Sequence, residues 1–318
     1  MSRQNPTVII ALGGNAISPK NESGDIEKQF EHTRESLDAM MHFINERYNI
    51  CITHGNGPQV GAELLKNEIT KDKIPSLPLG ILVANTQGAI GYMIQQTLQN
   101  ALQKKDIDRE VVTFISQVIV DKDDPTIQNP TKYIGKTYNT EEAKKLSIEH
   151  GWNIKEQENG AWRRVVSSPK PLYIFNGNSV KHLVDFGTIV IAGGGGGIPA
   201  FEDKHNMLHG LDAVIDKDMS AALLGRVIKA EELFIITDVD HVCLNYGTDN
   251  QVKISKTDTN ELIEWINQNQ FGEGTMLPKI HAANYFLEHH GQKVVITSLN
   301  KIEEAIKGKA GTIITKGR

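Results

Sequence analysis

Two lysines sit at predicted helix starts, where cations do not usually sit for structural reasons alone, and an aspartate stands beside one of them. Lys217 lies between Asp216 and Asp218 in AVIDKDMSAALLG, just ahead of a predicted helix of small residues. Lys279 follows a glycine- and proline-containing loop in GEGTMLPKI, again at a predicted helix start. A helix N-terminus carries positive partial charge, so a lysine there is explained better by a bound anion than by the helix dipole. Lys132, in NPTKYIGKTY, is a third candidate that can reach over a substrate. Two like charges ~4 Å apart cost about 4 kcal/mol at an effective dielectric near 20. Lysines gathered at one site therefore need carboxylates or a phosphate among them, and Asp218 is the natural organiser. Phosphoryl transfer runs mainly on positioning and charge stabilisation, which is what such a group supplies. No G-x-S-x-G elbow is present to suggest a covalent nucleophile.

An anion also needs donors. Three glycine-rich stretches each follow an apolar run: Gly13-Gly14-Asn15, His54-Gly55-Asn56-Gly57-Pro58, and Gly193 to Gly197. The third is neither of the familiar phosphate loops. A P-loop needs Lys-Ser or Lys-Thr after its last glycine, and Ile198-Pro199 stand there instead. A dinucleotide fingerprint starting at Gly193 or Gly194 would need glycine at Ile198 or Pro199. In an open parallel sheet, ligands bind beyond the carboxyl ends of the strands, so the three stretches read as one wall of backbone N–H groups. Gly194 and Gly195 are the members of the third stretch expected closest to the ligand.

The elements that must hold these residues follow from periodicity. Strands are predicted at Thr7–Leu12, Ile50–Thr53, Val111–Val120, Thr188–Ala192, Leu233–Thr237, Lys293–Thr297 and Thr312–Thr315. Helices are predicted at Glu27–Arg47, Ala84–Gln103, Met219–Arg226, Lys279–His289 and Lys301–Lys307, where apolar residues recur at helical spacing. Alternating strands and helices imply an α/β fold, with a largely parallel open sheet covered on both faces. The stretch Asp121–Pro171 is polar and proline-edged, yet it carries Trp152, Trp162, Tyr133 and Tyr138. It reads as a protruding subdomain, residues 125–175, inserted in a single domain of residues 1–318.

Composition removes several function classes. The chain has 318 residues, 39% of them hydrophobic, and a formal net charge of −5. That balance offers no general attraction to nucleic acid or membrane. There is no apolar run of the ~20 residues a membrane-spanning helix requires and no signal-peptide pattern. Two cysteines, Cys51 and Cys243, make no disulfide framework, so a cytoplasmic protein is expected. His205 and His209 are spaced like metal ligands, but Asn206 stands where a zinc protease has Glu. They read as surface histidines, and no protein metal site is expected.

Taken together, ALGGNA, HGNGPQVG, GGGGGIP, VIDKD and GTMLPKI resemble the carbamate kinases of the amino acid kinase superfamily, from Thr7 to the C-terminal GTII. The resemblance implies a three-layer αβα sandwich around an eight-stranded sheet and a homodimer. It implies transfer of a phosphoryl group between carbamoyl phosphate and ADP, giving ATP and carbamate, as in arginine and citrulline breakdown by the arginine deiminase pathway. Mg²⁺ would be held mainly by the nucleotide phosphates. Carried onto this chain, Gly13, Gly14, Asn15, Gly55, Asn56 and Gly57 resemble the cradle for carbamoyl phosphate. Lys132 resembles the substrate-contacting lysine of the protruding subdomain. Lys217 and Lys279 resemble the pair that stabilises the transferring group, oriented by Asp218. Thr237, Asp238, Val239, Tyr246 and Met276, with Lys279, resemble the nucleotide site. Many superfamily members carry a lysine before the first Gly-Gly; here Ala11-Leu12 precede it, so Lys217 must bring that charge from another element. A kinase of an amino-acid carboxylate such as acetylglutamate, a nucleotide dehydrogenase and a non-catalytic phosphometabolite sensor are the competing readings.

Overall fold

A computed structural model describes residues 5–18, 25–38, 40–157, 160–272 and 275–317. Its centre is an eight-stranded sheet. The spatial order is Lys256–Asp258, Thr312–Thr315, Lys293–Ser298, Glu232–Thr237, Thr7–Leu12, Asn49–His54, Ile189–Ile191 and Val111–Thr113. Every neighbouring pair is parallel except Lys293–Ser298 with Thr312–Thr315. The strand TVIIAL is buried throughout, as a strand covered on both faces must be. Alternation sends its residues to two cores. Ile9 and Ala11 join Ala221, Leu224 and Phe286 on one face. Val8, Ile10 and Leu12 join Phe43, Ile90 and Ile94 on the other. The expected α/β sandwich with a largely parallel eight-stranded sheet is the observed fold.

Packing of small residues sets two helices side by side. Helix Lys217–Ile228 and helix Met276–His289 meet where Gly225 faces Phe286; a Cβ on Gly225 would come within 2.6 Å of the Phe286 ring. That close approach brings together the two N-termini that carry Lys217 and Lys279.

Two predicted elements divide. The run Val111–Val120 is two strands in different sheets: Val111–Thr113 edges the main sheet, and Gln117–Val120 joins a four-stranded sheet with Pro171–Ile174, Ile198–Glu202 and Leu208–Gly210. The corner is Ser116, which is fully buried. Its N–H donates to the Gln87 side chain (2.8 Å), and its carbonyl accepts from the Ile198 N–H (2.8 Å). The run Glu27–Arg47 is likewise two helices, Ile26–Asp38 and Met41–Asn45. Met40 N–H reaches back only three residues, to the Leu37 carbonyl, which tightens the chain into a turn. Helices Gly57–Thr70 and Gly177–Phe186 were not predicted.

Along the chain, a separate unit lies between strands Gln117–Val120 and Pro171–Ile174 of the four-stranded sheet. Strands Lys132–Tyr138, Trp162–Val166 and Ile154–Glu156 form an antiparallel sheet. Helix Thr140–His150 covers it, and Tyr138, Ala143 and Trp152 make its own small core. It rests on helix Gly57–Thr70 so closely that a Cβ on Gly61 would fall 2.1 Å from the Gly135 Cα.

Candidate active site

The first two glycine stretches touch. Gly55 N–H donates to the Leu12 carbonyl (2.8 Å), and a Cβ on Gly55 would lie 2.8 Å from the Gly14 nitrogen. Gly13 N–H in turn donates to the Ile236 carbonyl (3.0 Å). These residues sit at the carboxyl ends of three adjacent strands. Helix Gly57–Thr70 begins here with Asn56 as its N-cap residue and Pro58 in the first turn, so its N–H groups face the same place. The Asn15 backbone belongs to the short turn Gly14–Ala16; its side chain lies outside the described residues.

The five glycines form the floor. Gly193, Gly195, Gly196 and Gly197 all have positive φ, which side chains rarely tolerate. All five are buried. A Cβ on Gly194 would strike His54 Nε2 at 2.2 Å, and one on Gly195 would strike Asn56 Nδ2 at 2.3 Å. The bareness expected there for a ligand is thus taken up by side chains of the second glycine stretch. The loop's carbonyls are held as well: Thr53 Oγ1 donates to Gly193 (2.9 Å), Gln87 Nε2 to Gly194 (2.8 Å) and Ser220 Oγ to Gly196 (2.7 Å). None of these donors stood out in the sequence.

Over this floor the charged residues converge. Asp218, with 2% of its surface exposed, binds Lys217 through one oxygen and Lys279 through the other (3.1 Å). Lys279 also donates to the Thr275 carbonyl at 3.2 Å. Lys132 reaches down from its sheet to Asp216 (2.6 Å). The Lys217 Cδ lies 3.4 Å from where a Gly55 Cβ would be, so its stem runs past the Gly14–Gly55 junction. Burial alone would raise the Asp218 pKa, but the two ammonium groups hold it well below the usual carboxylate range. Lys279 is raised: burial opposes its charge, and Asp218 and Asp216 override that. Lys217 is lowered, by burial first and by Lys279 as a further cation, so an arriving phosphate would supply charge it lacks.

The residues expected at the nucleotide end lie on several elements. Thr237 closes strand Glu232–Thr237, and Asp238 next to it is close enough for its charge to act on Lys279. Thr237 and Asp238 also line a pocket with Gly13, Ser298 and Asn300. Val239 is half-buried, and Met276 opens the helix that carries Lys279. Tyr246 is 70% exposed in the turn between strands Val242–Leu244 and Val252–Ile254. Cys243 in that hairpin is buried, and burial raises its thiol pKa. His209 bonds Asp203 (2.9 Å) on the surface, away from the lysines.

His54 is a site residue that sequence reasoning passed over. Its Nδ1–H donates to the Gly55 carbonyl (3.1 Å), and only 1% of the residue is exposed. Burial, with Lys217 nearby as a secondary cause, lowers its pKa to about 4, despite the Gly55 bond. An unfolded histidine takes its proton near pH 6.5. The folded protein therefore loses stability as pH falls from about 6.5 to about 4, by about 3 kcal/mol in full. His54→Gln is expected to flatten the stability curve across that window. Urea melts at pH 7.0 and 4.5 check this; an unchanged pH dependence would show that His54 does not titrate as its burial dictates.

Comparison with known proteins gives a consistent result. The sequence pattern described as the amino acid kinase family matches residues 6–298. The carbamate kinase of Pyrococcus horikoshii is 42% identical over 310 residues, covering 97% of this chain and 98% of that protein. The structure of Giardia lamblia carbamate kinase bound to citric acid superposes with a TM-score of 0.93 at 36% identity, covering 98% of this chain and 99% of that one. The Giardia enzyme bound to AMP-PNP superposes with a TM-score of 0.89, at the same identity and coverage.

Proposed function

We propose, starting from the fact that the chain belongs to the amino acid kinase family and within it to the carbamate kinases, that this phosphotransferase moves a phosphoryl group reversibly between carbamoyl phosphate and ADP. One observation carries the detail. Lys132 and Lys279 converge on the tripeptide Asp216-Lys217-Asp218, whose Lys217 stem lies against the junction of two glycine loops. Three ammonium groups are held by two carboxylates in a largely buried place. A phosphoryl group in transfer carries negative charge on its outer oxygens, and such a site favours it over water.

In this reading Gly13, Gly14, Asn15, Gly55, Asn56 and Gly57 give the carbamoyl phosphate end its backbone donors. Gly194 and Gly195 support that wall from below, through His54 and Asn56. Lys217 and Lys279 meet the transferring group from the side of the two helices, and Lys132 closes from the inserted unit, residues 125–175. Thr237, Asp238, Val239, Tyr246 and Met276 receive the nucleotide in this reading; that a nucleotide binds at all is supported by the Giardia relative, whose structure holds AMP-PNP. Mg²⁺ would neutralise phosphate charge. Asp216 and Asp218 are already committed to lysines, so nucleotide oxygens would be its main ligands. The role is ATP formation during arginine or citrulline breakdown, in the cytoplasm, consistent with two unpaired cysteines. No helix among the described residues is long and apolar enough to cross a membrane. A homodimer is part of the proposal; exposed Ile115, Leu172 and Phe175 beside the smaller sheet are the apolar residues a second copy would cover.

The test is an assay of the purified protein with carbamoyl phosphate, ADP and Mg²⁺, coupled to ATP detection. ATP formation is expected. No ATP from this mixture, together with phosphorylation of an amino-acid carboxylate by ATP, would overturn the assignment of substrate.

A further inference from the structure

We propose that Asp216 is a positioning residue that sets the ammonium of Lys132 over the site, tying the inserted unit to the start of the catalytic helix. The two oxygens of its carboxylate do different things. Oδ1 accepts from the Asp218 N–H (2.9 Å) and the Met219 N–H (3.2 Å), which caps helix Lys217–Ile228. Oδ2 accepts from Lys132 Nζ at 2.6 Å, across 84 residues of sequence. The first role is local, and any good N-cap residue performs it. The second is not: it needs the negative charge, and it joins two parts of the molecule.

The chemistry gives this tie a purpose. A lysine ammonium has three donors on a flexible four-carbon stem. One donor spent on Asp216 leaves two for oxygens of a small anion. Without the carboxylate the stem would sample other rotamers, and each binding event would have to order it again. The rest of the inserted unit is already anchored. Gly135 packs on Gly61, and Glu68 on the same helix faces Arg164 (3.7 Å) and His150 (3.5 Å). Lys132 heads the strand Lys132–Tyr138, with its backbone paired opposite Val166. What remains loose is the side chain, and Asp216 fixes it. Burial would raise the Asp216 pKa, but Lys132 keeps it lowered, so the charge is present at neutral pH. The tripeptide is then a hub of two carboxylates: Asp218 organises the lysines of the two helices, and Asp216 organises the lysine of the insert.

This inference rests on the reading of Lys132 as a substrate contact, and the experiment separates the two. Asp216→Asn keeps an N-cap side chain of the same shape and removes the charge; Asp216→Ser is a second capping variant should the first fold poorly. Asp216→Asn is expected to raise the KM for carbamoyl phosphate about tenfold. The KM for ADP should stay within about twofold and the thermal midpoint within about 2 °C. In a Lys132→Met background the same substitution should add nothing, because the group it positions is gone. A raised KM in Lys132→Met with an unchanged KM in Asp216→Asn overturns the positioning role and leaves the lysine's role standing. An unchanged KM in Lys132→Met overturns the reading of Lys132 itself, and this proposal with it. Equal rises in both KM values, or full additivity in the double variant, would make Asp216 a structural cap and nothing more.

Discussion

Lys279→Ala is expected to lower kcat by about 10²- to 10³-fold, the usual loss when one charge-stabilising donor is taken from a transition state, with little change in stability. The argument lies in what the deletion leaves behind. Asp218 keeps Lys217 as a partner, so no buried carboxylate is orphaned. A cation also leaves the first turn of helix Met276–His289, where it opposes the helix dipole. Lys217 loses a like charge that depresses its own pKa. These gains offset the lost Lys279–Asp218 pair, and the thermal midpoint should move by about 2 °C or less, which for a domain of this size is about 1.3 kcal/mol or less. ATP formation and a thermal melt on the same preparation check this. A fall in stability that accounts for the fall in rate would make Lys279 a structural residue.

The contrast between Lys279 and its surroundings shows how far this site can be read before folding is known. Lys217, Lys279 and the glycine stretches announce themselves because their types conflict with local rules: a cation at a helix start, five glycines in a row. Strand TVIIAL is legible because a strand buried on both faces must be apolar throughout. Asp216 is not legible as more than a cap, since its second oxygen meets a lysine 84 residues away. His54 reads as one more polar residue in a glycine loop until Gly194 is seen to lie against its ring. The break at Ser116 is hidden for the same reason: its partners, Gln87 on one side and Gly193 and Ile198 on the other, come from two distant segments. Helix Gly57–Thr70 escapes because only Val60 and Leu64 in it are buried, too few to mark a helical stripe. Local conflict is visible in one dimension; the cause of a bare backbone in a folded wall is not.

Asp218→Asn is expected to damage both activity and stability, and so to behave unlike Lys279→Ala. The amide has the shape of the carboxylate but not its charge, and its NH₂ would face an ammonium. Lys217 and Lys279, with 13% and 14% of their side chains exposed, would lose their shared anion in a place water barely enters. Breaking a buried pair by removing one partner costs about 3–5 kcal/mol. With both lysines displaced, kcat should fall at least as far as in Lys279→Ala. The folded pKa of Asp218 lies below its unfolded value, so its stabilisation is present at pH 7 and is lost only as pH falls below about 4. Asp218→Asn should lack that acid-range loss. The sharper check is the double variant. If the instability comes from two cations without a counter-charge, then removing one of them helps, and Asp218→Asn/Lys279→Ala should be more stable than Asp218→Asn alone. A double variant less stable than either single one would mean that Asp218 serves packing rather than charge, and the lysine pair would need another explanation for its place at the glycine junction.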